Sequence, residues 1–159
     1  MRVAFVAILI LCSQLWAVSP ELEGPAITVG KIEPVVVRQG ETAWARISII
    51  VAPGLHVNAN PAASEMYIPL EIQLGDARGV HAGTPDYPPG VRWQLEGGED
   101  TLLVYGGKIE VRVPVIAEPK AKKGRRELRG TIEYQACDDR MCLLPASRPI
   151  AISVRVVKR

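Results

Sequence analysis

Four stretches of this chain alternate apolar and polar residues with a period of two, and that alternation narrows its fold more than any other feature. Across residues 43–51, Ala43, Ala45, Ile47 and Ile49 fall on one side and Trp44, Arg46, Ser48 and Ile50 on the other. Residues 108–116 repeat the pattern with Ile109, Val111, Val113 and Val115, and residues 127–134 do so with Leu128, Gly130, Ile132 and Tyr134. Residues 150–157 contribute Ile150, Ile152, Val154 and Val156. Successive side chains of a strand point to opposite faces, so these runs, rich in β-branched residues, read as half-buried strands. Val35-Val36-Val37 and residues 68–74 are further candidates. Turn signals separate the runs: Arg38-Gln39-Gly40-Glu41, Ala52-Pro53-Gly54, Pro88-Pro89-Gly90, Gly97-Gly98 and Gly106-Gly107. Thirteen prolines would break most helices, and no segment beyond the leader keeps a long apolar repeat of 3.6 residues. The expected class is all-β, an antiparallel β-sandwich of short strands.

The first residues read as a secretory signal peptide spanning residues 1–19, with the folded domain over residues 20–159. Arg2 supplies the positive start, Val3 to Leu11 is almost wholly apolar, and Ala17 or Ser19 offers a small residue for cleavage, with Ala17 the better fit. The apolar stretch is shorter than the ~20 residues a membrane-spanning helix needs, and no later run reaches that length. Lipid attachment at Cys12 is disfavoured because Leu11, not a small residue, precedes it. Export would place the remaining roughly 140 residues, enough for one domain with its own core, in a compartment where disulfides persist.

The formal net charge of +2 gives no global signal for nucleic acid or a membrane surface. Charge concentrates locally at Lys120, Lys122, Lys123, Arg125, Arg126 and Arg129, between two strand candidates. Such a run is a solvated hairpin tip or a patch that steers an acidic partner.

Chemistry points to the cysteines. With Cys12 in the leader, the domain keeps one pair, Cys137 and Cys142, in the run Tyr134-Gln135-Ala136-Cys137-Asp138-Asp139-Arg140-Met141-Cys142-Leu143-Leu144-Pro145. If Tyr134 ends a strand and Leu143-Leu144 begin the return, Asp138 to Met141 form the turn and the two cysteines face each other across its base. Facing residues approach to about 4.5–5.5 Å at Cα, within the range a disulfide tolerates. As a staple, a loop this small contributes only about 2 kcal/mol, against about 4.7 kcal/mol for a loop near 100 residues. A structural staple and a redox centre both stay open on these residues alone. A free thiol is about 3% thiolate at pH 7. Asp138 and Asp139 disfavour the thiolate further, and Arg140 offsets part of that. Such a pair is suited to being attacked, as a disulfide, by a more acidic thiol on a partner.

Other constellations are weaker. His56 and His81 with the two cysteines could make a four-ligand zinc site, but the cysteine spacing is wide and the histidines lack the usual spacing. No metal and no cofactor is therefore expected. His56 reads better as a turn or core histidine that hydrogen-bonds its surroundings. Trp44 and Trp93 read as core or sheet-face aromatics.

The run YQACDDRMCLLP resembles the reactive segment of the N-terminal periplasmic domain family of the thiol:disulfide interchange protein DsbD. Residues 53–61, Pro-Gly-Leu-His-Val-Asn-Ala-Asn-Pro, resemble that family's Gly-x-His motif near an Asn-Pro, and Tyr105-Gly106-Gly107 leading into residues 108–115 is similar to its central strand. The resemblance implies an immunoglobulin-like β-sandwich in which Cys137 and Cys142 cycle between dithiol and disulfide, with Cys142 forming the mixed disulfide. Tyr134, Asp138, Asp139, Arg140 and Tyr105 would surround the pair. It implies a thioredoxin-like domain or membrane thiol reductase as electron donor, periplasmic oxidoreductases as acceptors, and a periplasmic location. The family's shielding cap loop falls on residues 96–103, which hold no aromatic; Tyr105 and Trp93 are the aromatics available to replace it. The remaining alternative is an immunoglobulin-like binding or assembly module with an inert disulfide.

Overall fold

The computed structural model describes residues 24–94 and 101–159; the leader with Cys12, and residues 96–100 of the expected cap, lie outside the described residues. Among the described residues twelve strands follow in order: β1 (Ile27–Val29), β2 (Val35–Arg38), β3 (Thr42–Val51), β4 (His56–Asn58), β5 (Glu71–Leu74), β6 (Val80–Ala82), β7 (Val91–Gln94), β8 (Thr101–Tyr105), β9 (Lys108–Ala117), β10 (Gly124–Tyr134), β11 (Ala136–Cys137) and β12 (Ala146–Val157). Among the described residues there is no helix, and so none long and apolar enough to cross a membrane.

Two four-stranded sheets, β1-β3-β9-β6 and β2-β12-β10-β5, form an immunoglobulin-like sandwich. The alternation read from the sequence is the cause. On β3, Ala45, Ile47, Ile49 and Val51 are buried, while Trp44, Arg46 and Ile50 face solvent. The inward residues of β9 (Val111, Val113, Val115) and of β10 and β12 (Leu128, Ile132, Ile152, Val154) join the same core. Outward positions pair among themselves: Arg46 lies 3.1 Å from Glu110, and the Arg112 guanidinium sits 5.4 Å over the Trp44 ring. Trp44 is therefore a sheet-face aromatic.

The sandwich is antiparallel as expected, with one parallel seam. β2 runs parallel to β12, with Val35 opposite Val154 and Arg38 opposite Val157. The chain enters on the first sheet as β1 and crosses to the second as β2 before returning to the first as β3. The basic run is split: Lys120, Lys122 and Lys123 lie exposed in the turn, whereas Arg125, Arg126 and Arg129 belong to β10. Arg126 is held by the carbonyls of Lys122 and Arg125, and Arg129 pairs with Glu127.

A third sheet, β11-β4-β8-β7, lies at one end of the sandwich. It is made by strands leaving the other two. β3 turns out through Ala52–Leu55, where Gly54 takes a φ of 76°, a left-handed conformation that costs glycine little. β8 feeds β9 through Gly106-Gly107, whose Gly107 carbonyl accepts the Val51 N–H at 2.8 Å. From the other sheet, β10 passes through Gln135 into β11. This convergence positions the site.

Candidate functional site: a disulfide hairpin set against a buried histidine

The hairpin expected from the sequence is present. Leu143 donates its N–H to the Ala136 carbonyl at 2.8 Å, Asp138 donates to the Met141 carbonyl at 2.9 Å, and the Gln135 amide reaches the Leu143 carbonyl at 3.0 Å. Across this base Cys137 and Cys142 face each other with Cα atoms 3.9 Å apart and are joined by a disulfide. The two sulfur-bearing residues differ in access. Cys137 is fully buried, at 0% exposure, and Cys142 is half-buried. Met141 and Leu144, on either side of Cys142, are exposed apolar residues.

The turn is held by Asp138. Its Oδ1 accepts the N–H groups of Arg140 at 2.8 Å and Met141 at 2.7 Å. Those bonds, the Met141 N–H foremost, hold its carboxyl below the ordinary carboxylate range; the Arg140 charge and His56 act in the same direction. A depressed folded-state value adds stability above the ordinary carboxylate range and loses it as pH falls through the depressed value. We expect Asp138→Ala to lower the melting temperature at pH 7 and to leave it unchanged at a pH where Asp138 is protonated in both states. A melting difference that persists undiminished in acid would show that the carboxylate is not the source.

Asp139 and Arg140 are exposed on the turn. Tyr134 ends β10, 5% exposed, opposite Ala146. Tyr105 is buried on β8 opposite Val57, so strand alternation places it on the face of the third sheet opposite that of Cys137 and His56. Its hydroxyl donates to the Pro88 carbonyl at 2.8 Å and accepts the Asn60 N–H at 3.1 Å. Burial pushes the phenol above its ordinary value, and the Asn60 bond opposes that. Tyr105 thus braces the segments that carry β4 and β7.

His56 is the neighbour that sequence reasoning placed least well. It pairs directly with Cys137 across β4 and β11. It is 3% exposed, and among the described residues its buried Nε2 has no hydrogen-bond partner, contrary to the expectation of a satisfied core histidine. Trp93 of β7 lies against it, with ring centroids 5.1 Å apart at 40°. Trp93 is 41% exposed, so one side of its ring covers the histidine and the rest meets solvent. Burial lowers the His56 imidazole from its ordinary value, and the Asp138 carboxylate works against that shift. In the sequence the Gly-x-His run is the signal that marks it, and no local pattern ties it to Cys137. His81 lies on β6 in another sheet, paired with Ile116. Among the described residues no group of three or more His, Cys, Asp or Glu could hold a metal.

Residues 25–153 match the family described as thiol:disulfide interchange protein DsbD, N-terminal. The chain belongs to that family. The match spans most of the chain and includes every residue of the site above. Among solved structures, the reduced N-terminal domain of DsbD from Neisseria meningitidis is 19% identical, covering 70% of this chain and 77% of that one, with a TM-score of 0.47. A family 123 glycoside hydrolase from Clostridium perfringens is 15% identical over 80% of this chain and 23% of its own, with a TM-score of 0.36. PapD-like domain 7 of human CEP192 is 11% identical over 100% of this chain and 98% of its own, with a TM-score of 0.35. No curated protein gives a match. The DsbD N-terminal domain family is periplasmic and works by thiol–disulfide chemistry.

Proposed function

We propose that this DsbD-family domain is a periplasmic thiol–disulfide exchange protein, passing electrons through Cys137 and Cys142. The observation that carries this is the asymmetry of the pair: one member is sealed and the other is reachable at a hairpin base flanked by exposed apolar side chains. A thioredoxin-like domain or membrane thiol reductase supplies the electrons, and oxidised periplasmic oxidoreductases receive them. A donor thiolate attacks Sγ of Cys142, and Cys137 leaves with the electron pair. A second donor thiol then releases the mixed disulfide and leaves the dithiol. In the giving direction, Cys142 attacks the acceptor's disulfide and Cys137 resolves the adduct.

The reduction potential tests the proposal. Bonds used for exchange sit near thioredoxin's ~−270 mV or higher, whereas structural bonds lie below about −300 mV. Equilibration of the folded protein against dithiothreitol and glutathione, read by thiol alkylation, is expected to give a value in the first range. A value well below the second would make the disulfide an inert clip and the domain a binding or assembly module.

A further inference from the structure

We propose that His56 is the base that frees Cys137 to resolve the mixed disulfide. The inference rests on the exchange reading above and adds a residue and a step to it. Three observations carry it. His56 and Cys137 are direct partners on adjacent antiparallel strands, where facing Cβ atoms lie about 4.5–5.5 Å apart and side chains share a face. Among the described residues the buried imidazole Nε2 has no hydrogen-bond partner, a cost that a purely structural core tends to remove. The Trp93 ring packs against the imidazole, with centroids 5.1 Å apart, and the imidazole is 3% exposed.

Cys137 needs such help. It is wholly buried, and even an ordinary exposed thiol is only about 3% thiolate at pH 7. In the resolving step the Cys137 Sγ–H gives its proton to the imidazole. The thiolate's electron pair then attacks Sγ of Cys142. The sulfur–sulfur bond from Cys142 to the partner breaks, and the partner leaves as a thiolate. The partner is reduced, the pair is oxidised, and the imidazolium returns its proton to solvent or to the departing sulfur.

The surroundings suit this cycle. From the turn, His56 is faced by Cys137 itself and by Asp138, whose carboxylate favours the imidazolium. From β7 it meets the uncharged Trp93 ring. On its own strand the neighbouring side chain of the same face is Asn58, whose amide is occupied by the Ile68 carbonyl at 3.2 Å. Burial keeps the imidazole neutral at pH 7, the form that accepts a proton.

The test uses the full chain carrying Cys12→Ser, so that the pair supplies its only thiols. The reduced protein is mixed with dithiobis(nitrobenzoate) in stopped flow. A first thionitrobenzoate is released as the adduct forms, and a second as Cys137 resolves it. His56→Gln is expected to leave the first phase unchanged and to slow the second at least tenfold at pH 7, the gap closing at alkaline pH where the thiol ionises unaided. In the parent protein the second phase is expected to level off below neutral pH, after the imidazole has lost its proton. An unchanged second phase in His56→Gln overturns the proposal and leaves the exchange reading intact. If the variant does not fold, the parent profile still decides: a second phase that rises only through the thiol range above about pH 8 overturns it. A parent protein that releases no second thionitrobenzoate overturns both readings.

Discussion

Cys137→Ala is expected to capture its partner as a lasting mixed disulfide at Cys142, and Cys142→Ala to abolish exchange, by more than about a hundredfold. The reason is access. A partner's sulfur must approach in line with the bond it breaks, and only Cys142 presents a half-open side. Once joined, the adduct is released by the neighbouring thiol, so removing the buried Cys137 removes the fast route out. Both variants lose the same small loop constraint of about 2 kcal/mol, so loss of that constraint does not distinguish them. Non-reducing electrophoresis after mixing each reduced variant with an oxidised thioredoxin-like protein reads the outcome. Equal adduct from the two variants would refute the assignment of Cys142 as the attacked sulfur.

Gly130→Ala is expected to cost roughly 3 kcal/mol or more, lowering the melting temperature by about 10 °C. Gly130 lies on β10 opposite Leu74 of β5. A Cβ there would fall 1.8 Å from the Gln73 carbonyl oxygen and 2.8 Å from the Leu74 Cα. Both are backbone atoms with neighbours of their own, since the Gly75 N–H is bound to the Arg129 carbonyl at 2.9 Å. The strand pair must separate to admit a methyl group. Because β10 leads directly into β11, that displacement should also disturb the hairpin. A urea titration compares the proteins, and a change within about 0.5 kcal/mol would contradict this packing of β5 on β10.

Alternation made β3, β9, β10 and β12 legible because each is long and buried on one face only. The same signal fails for β4. His56, Val57 and Asn58 are all buried, so no polar face marks them, and three residues are too few to show a period. It fails for β7 in the opposite way, since all four of its residues are exposed. Residues 68–74 narrowed to Glu71–Leu74, because Leu70 is held by a backbone bond to Asn58 outside any ladder. The cysteine hairpin was legible because its geometry is local. The pairing of His56 with Cys137 was not: it depends on strands from both halves of the sandwich meeting in the third sheet, which no local pattern encodes.

The parallel seam between β2 and β12 has a mechanical consequence. Its four residue pairs join the chain's early strand to its last, running in the same direction. A pull applied at Val35 and at Val157 drags these strands past each other lengthwise. Tension is then shared by the whole row of bonds at once, and they cannot open one after another like a zip. Stretched between these two points, the domain resists in shear along this seam.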